Sequence, residues 1–223
     1  MGGARTLKEL KSAAASILPV GCEFEVAGIE ADPAMLSNNE RSLINDWAAA
    51  RQQEFAAGRL CARRALVALG QPESELLRDA GGLPLWPKGV VGSITHSRGI
   101  AAAALRLARG PDALIGLDLE KTNRLSAGAS RRVLHSLEVD FAGGDQVRAT
   151  ILFSLKEAFY KAQFPRWGVE GNFQDLGLEV DLDSGQAAVA ALGGNFSGFA
   201  AQLAGLEFRF SLCDDYVLCF CGR

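Results

Sequence analysis

The stretch Ile115-Gly116-Leu117-Asp118-Leu119-Glu120 alternates apolar and acidic side chains. A β-strand sends successive side chains to opposite faces. Read as a strand, the segment places Ile115, Leu117 and Leu119 on one apolar face. Asp118 and Glu120 share the other, with Gly116 leaving room beside them. Two carboxylates at that spacing repel each other, and they persist on a solvated surface or around a cation.

Further along the chain, Ala149 to Phe164 has helical character and is expected to end at Pro165. Glu157 and Lys161 are four residues apart and face the same way on that helix. Phe153, Tyr160 and Phe164 lie close to the same face, so Glu157 is expected to be partly buried. With Asp118 and Glu120 it would make a third carboxylate. Three oxygen ligands, completed by water and phosphate, are how Mg²⁺ is usually held. Either segment alone also suits a plain solvated surface.

Before the acidic strand the chain is basic. From Arg51 to Arg109 there are nine Lys or Arg against four Asp or Glu, whereas Glu170 to Arg223 has two against eight. The formal net charge of −3 hides this asymmetry and argues against general nucleic-acid binding. Arg51, Arg59, Arg63 and Arg64 lie on one helical segment, Arg78 precedes a Gly/Pro-rich loop over residues 79–89, and Lys88 sits inside it. The expected strand Val90 to His96 brings Ser93, Thr95 and His96, followed by Ser97. Guanidinium groups, hydroxyls and an imidazole converging on one place suit phosphate recognition.

The remaining organisation is that of an α+β protein. Residues 38–69 read as helical, with Asn38 or Asn39 as cap and Gly58 either tolerated or marking a break. A second strand should follow the turn Arg98-Gly99 and run to Leu107, with helical character again near residues 127–138. Strands are expected over Leu176 to Leu182, Gln186 to Leu192, Gly198 to Leu203, Leu206 to Leu212 and Tyr216 to Cys221, with turns at Asp183-Ser184-Gly185 and Asp214-Asp215. A division near residue 113 would give halves 1–113 and 114–223.

The composition excludes several classes. No apolar run approaches the ~18 residues of a membrane helix, and the N-terminus lacks the pattern of a secretory signal. Five cysteines with no framework spacing read as free thiols in a reducing cytoplasm. Two histidines and no C-x-x-C pair leave no basis for a zinc site.

Four segments in this order resemble the 4′-phosphopantetheinyl transferases of the surfactin-synthetase and enterobactin-synthetase-component-D type. They are Arg51 to Leu66, Gly82 to Ser97, Ile115 to Glu120 and Phe153 to Pro165, about half the chain. Residues 1–35 and those after Pro165 add little. The resemblance implies two similar α+β halves related by a pseudo-twofold, with the active site between them. It implies transfer of the 4′-phosphopantetheine arm of coenzyme A to a serine of an apo acyl, aryl or peptidyl carrier protein, with adenosine 3′,5′-bisphosphate as the other product. Asp118, Glu120 and Glu157 match the Mg²⁺ ligands, with Mn²⁺ as an alternative ion, and Lys161 matches the active-site lysine.

The expected coenzyme contacts are Arg51, Arg59, Arg78, Lys88, Ser93, Thr95, His96, Lys156 and Lys161. Glu157 is expected to take the serine proton, directly or through a water, and Lys161 to stabilise phosphoryl oxygens. Arg124, Arg131 and Arg132 are candidates for docking an acidic carrier. The family architecture implies a monomer. A Mg²⁺-dependent nucleotide phosphohydrolase or a non-catalytic coenzyme A-binding protein would use many of the same residues.

Overall fold

A computed structural model describes residues 2–223; Met1, which begins the expected N-terminal half, lies outside them. In chain order the elements are α1 (Gly2–Ile17), β1 (Cys22–Gly28), α2 (Asn38–Ser42), α3 (Ala49–Ala68), β2 (Val90–Ser97), β3 (Ile100–Leu107), β4 (Ile115–Lys121), α4 (Ala127–Val133), α5 (Val139–Ala142), α6 (Gln146–Trp167), β5 (Leu176–Asp181), β6 (Gln186–Leu192), α7 (Ala200–Leu203), β7 (Glu207–Cys213) and β8 (Tyr216–Gly222). They form a three-stranded antiparallel sheet, ordered β1-β3-β2, and a five-stranded one, ordered β4-β8-β7-β6-β5. Helix α3 covers the first sheet and α6 the second. Mixed helix and sheet in each half is the α+β class expected. No helix among the described residues is long and apolar enough to cross a membrane.

The two sheets meet where β2 lies beside β4. Hydroxyl groups, rather than a backbone ladder, join them. Ser93 Oγ accepts from the Leu117 N–H at 3.0 Å and lies 3.4 Å from the Leu117 carbonyl. Thr95 Oγ1 accepts from the Leu119 N–H at 3.2 Å. Ser97 Oγ donates to Glu120 Oε2 at 2.8 Å. Behind this seam, Ile115, Leu117 and Leu119 pack with Leu10, Ala14, Ile100 and Phe220. The alternation read from the sequence therefore holds, with one face of β4 in the core and the other on the seam.

Two glycines set how closely the helices approach. A Cβ on Gly116 would lie 1.9 Å from the Ala158 carbonyl oxygen, so the space beside the β4 carboxylates is filled by the α6 backbone. A Cβ on Gly58 would lie 2.8 Å from Ile94 Cγ2, so Gly58 lets α3 sit down on β2 and does not break the helix.

Several local expectations are corrected. The helical stretch over residues 38–69 is two helices, α2 and α3, and they part before α3 rather than at Gly58. The cap of α2 is Ser37, in a capping box with Glu40, and the break lies between residues 42 and 49. Helix α6 passes through Pro165 and stops at Gly168, which adopts φ +63°. Gly198 to Leu203 is not a strand but a 3₁₀ turn over Gly194–Phe199 leading into α7, because Phe196 and Leu203 both insert into the core. Helix α1 and strand β1 had no counterpart in the sequence reading. Leu10, Ala13, Ala14 and Ile17 form the buried stripe of α1.

Candidate active site

Strand β4 and helix α6 bring acidic groups to one end of the seam, and α3 with the loop before β2 brings basic ones. They line a single cavity of about 470 Å³. On its walls are Arg51, Arg59, Arg78, Thr95, His96, Asp118, Glu120, Glu157 and Lys161, all from the predicted set.

Asp118 is buried, with only 4% of its surface exposed, and both of its oxygens are held. Oδ1 accepts from Lys161 Nζ at 2.6 Å and from Thr95 Oγ1 at 3.2 Å, and Oδ2 accepts from Ser154 Oγ at 2.7 Å. Lys161 Nζ also reaches Thr95 Oγ1 at 3.2 Å. Glu120 is tied to Ser97 and lies 3.5 Å from Arg124 Nε. Burial first, and then the Asp118 charge, raise the Glu120 carboxyl above its ordinary value. The same two causes raise Glu157, with Lys161 opposing them. Glu157 sits half-buried on α6, one turn before Lys161.

The chemistry of this donor set suits a hard cation. Three carboxylates line one cavity, and two of them hold protons more tightly because they are buried and, second, because they stand near the Asp118 charge. Among the described residues, however, no three His, Cys, Asp or Glu side chains are drawn together as a ready metal cage.

On the basic side, Arg59 is buried, and its Nε donates to the Leu76 carbonyl at 2.8 Å. Burial lowers its pKa to about 10, and the Glu40 charge opposes this. Glu40 is fully buried. It accepts from the Leu76 N–H at 3.0 Å and pairs with Arg63 at 3.0 Å, so it anchors the residue whose carbonyl holds Arg59. Arg51 Nη1 lies 2.9 Å from Glu54 Oε2 and 2.6 Å from His96 Nε2. A guanidinium can only donate, so His96 Nε2 accepts and the ring is neutral. Burial lowers the His96 pKa in the same direction. Arg78 Nε is buried without a hydrogen-bond partner.

Three predicted contacts lie elsewhere. Ser93 spends its hydroxyl on the seam. Lys88 is exposed and is not on the cavity wall, although Gly82 and Pro84 of the same loop are. Lys156 points to the other side of α6, where its ammonium is buried against Glu138 at 2.7 Å and the carbonyls of Val133 and Phe173, each at 2.9 Å. Residues three apart on a helix share a face; Lys156 precedes Glu157 by one and therefore faces away from it. Of the docking candidates, Arg124 is on the cavity wall, and Arg131 and Arg132 are exposed on α4. The sequence reading missed Trp47, Glu54 and Phe55 on the wall. For Glu54 and Phe55, the spacing to Arg51 and Arg59 on one face of α3 was the available signal.

The chain matches two family models, the 4′-phosphopantetheinyl transferase N-terminal domain over residues 39–106 and the 4′-phosphopantetheinyl transferase superfamily over residues 114–221. It is 38% identical over 214 residues to the 4′-phosphopantetheinyl transferase Svp of Streptomyces mobaraensis, covering 92% of this chain and 86% of that one. It is 35% identical over 185 residues to the 4′-phosphopantetheinyl transferase PptT of Mycobacterium tuberculosis, covering 76% and 78%. Among solved structures, the holo-[acyl-carrier-protein] synthase of Thermotoga maritima aligns with a TM-score of 0.39 at 20% identity, over 49% of this chain and 61% of that one.

Proposed function

The chain belongs to the 4′-phosphopantetheinyl transferase superfamily, and on that premise we propose that it transfers the 4′-phosphopantetheine arm of coenzyme A to a serine hydroxyl of an apo carrier protein. The other product is adenosine 3′,5′-bisphosphate. The observation that carries this reading is the joining of Arg51, Arg59 and Arg78 with Asp118, Glu120, Glu157 and Lys161 in one cavity. Coenzyme A carries a pyrophosphate and a 3′-phosphate, so it needs both a basic wall and a group that offsets charge at the reacting phosphorus.

Arg51, Arg59 and Arg78 bind the phosphates of the nucleotide. Asp118, Glu120 and Glu157 would hold Mg²⁺, or Mn²⁺ with the same oxygen ligands. When bound, the ion supplies charge neutralisation at the pyrophosphate and at the departing bisphosphate. The serine oxygen forms a bond to the phosphorus of the arm as the bond to the bisphosphate oxygen breaks. Glu157 receives the serine proton at its carboxylate. Lys161 Nζ stabilises the phosphoryl oxygens as a point charge and holds Asp118 in place.

The N-terminal half, to about residue 113, supplies the nucleotide contacts, and the C-terminal half supplies the carboxylates and Lys161. Arg131 and Arg132, exposed on α4, would meet an acidic carrier. Reversing both charges should raise the KM for the carrier, and an unchanged KM would remove them from the interface.

The test is intact-protein mass spectrometry of an apo carrier incubated with this protein, coenzyme A and Mg²⁺. A gain of one phosphopantetheine, abolished by EDTA and by Asp118→Ala, is the expected result. Cleavage of coenzyme A with the carrier unmodified would instead mean hydrolysis, and binding with no reaction would mean a non-catalytic coenzyme A-binding protein.

A further inference from the structure

The basic wall of the cavity gathers three guanidinium groups in a half-buried space, where like charges repel. Two aromatic rings are interleaved with them. Arg51 lies 5.7 Å and Arg78 4.8 Å from the centroid of Trp47. Arg78 lies 6.0 Å and Arg59 4.3 Å from the centroid of Phe55. The two rings meet edge to face, with centroids 5.8 Å apart and planes at 84°. The wall is thus a rack of alternating cation and ring: Arg51, Trp47, Arg78, Phe55, Arg59.

Arg51 is also paired with Glu54 at 2.9 Å, whereas the other two guanidinium groups differ from ordinary ion pairing. Among the described residues, neither Arg59 nor Arg78 has a carboxylate at salt-bridge distance. Arg59 spends Nε on the Leu76 carbonyl, and Arg78 makes only a 3.5 Å contact from Nη2 to the Leu43 carbonyl. Arg78 Nε is buried with no partner at all. A guanidinium paired to a carboxylate must give up N–H groups to take another anion. One held against a ring is attracted through its π face, and its N–H edge stays open to a ligand.

We propose that Trp47 and Phe55 are positioning residues of the coenzyme site: they hold the N–H edges of Arg59 and Arg78 toward the cavity and thereby set its preference for a ligand bearing a phosphate monoester. This rests on the coenzyme A reading given above. It assigns a specificity role to two apolar side chains that touch the ligand-binding groups rather than the reacting atoms. The indole also offers a reporter, since Trp47 is on this wall while Trp86 and Trp167 are not.

The experiment measures calorimetric Kd values of the full chain for coenzyme A and for 3′-dephospho-coenzyme A, in the wild type, Trp47→Leu and Trp47→Phe. The wild type should prefer coenzyme A. Trp47→Leu should cut that preference by about tenfold, the scale of one to two lost cation–π contacts, by weakening coenzyme A alone. Trp47→Phe, which keeps a ring face, should restore most of it. Phe55→Leu should give the same selective loss, and it carries the test if Trp47→Leu does not fold. Equal weakening of both ligands would reduce the rings to structural packing and overturn the proposal, as would a wild type with no preference. If the wild type binds neither ligand, the coenzyme reading itself fails and the rack falls with it. If preference is present but survives in the variants, only the rack fails.

Discussion

The Lys161 ammonium lies 2.6 Å from Asp118 Oδ1, and this contact fixes helix α6 to strand β4 at the point where the two sheets meet. Lys161 also reaches Thr95 on β2, so one side chain touches all three elements that build the cavity floor. Replacing it by Ala removes the positive charge beside Asp118 and, on the proposed mechanism, from the reacting phosphoryl group. Turnover should fall by about 10²–10³, the scale of losing one preorganised electrostatic group. Lys161→Arg should not restore it, because a planar fork cannot replace a compact point charge. Steady-state kinetics with a carrier protein decide this, and near-normal kcat in Lys161→Ala would remove the lysine from the mechanism.

The raised carboxyls make a prediction about pH. Burial and the Asp118 charge lift Glu120 and Glu157 above their ordinary 4.5. The folded chain therefore binds these protons more tightly than the unfolded chain does. Their stabilisation is complete below 4.5 and is lost as pH rises through the elevated values. A divalent cation relieves the same repulsion and competes with those protons. The rise in Tm produced by Mg²⁺ should accordingly be larger at pH 8 than at pH 5. Equal rises at both pH values would mean that the ion binds elsewhere.

The Lys156–Glu138 pair is a structural matter. Its two charged groups are buried at 2.7 Å, and Glu138 also accepts from the backbone of His135 and Leu178. Glu138→Ala strands a buried ammonium and should destabilise the fold by about 3–5 kcal/mol in urea unfolding. A loss well under 1 kcal/mol would show that the ammonium finds water instead.

Gly116 offers a steric test. An added methyl would overlap the Ala158 carbonyl, which belongs to helix backbone and cannot rotate away. Gly116→Ala should push α6 off β4 and destabilise by about 3 kcal/mol or more. A thermal scan showing a variant as stable as the wild type would contradict the observed approach.

What was legible in the sequence follows from how local each signal is. The faces of β4 could be read because an alternation of two is intrinsic to a strand, and Glu157 with Lys161 because one helical turn brings them together. Arg59 was visible, but its anchor was not, since Leu76 reaches it through a loop and Glu40 acts from a separate helix. The Ser93 contact to β4 was not legible because a hydroxyl on a strand edge serves a neighbouring strand as readily as a phosphate. Trp47 was missed because the chain breaks between α2 and α3 without a proline or glycine to mark it. The Lys156–Glu138 pair was not legible because the sequence does not say which side of α6 faces Glu138.

The central claim is that this cavity couples loss of the arm from coenzyme A to its arrival on a carrier. One reaction, sampled over time, tests it: holo carrier by intact mass and adenosine 3′,5′-bisphosphate by liquid chromatography, with wild type and Glu157→Gln. The account predicts one bisphosphate for each holo carrier, no bisphosphate without a carrier, and loss of both products together in the variant. Bisphosphate released in the absence of a carrier, or full activity in Glu157→Gln, would contradict it.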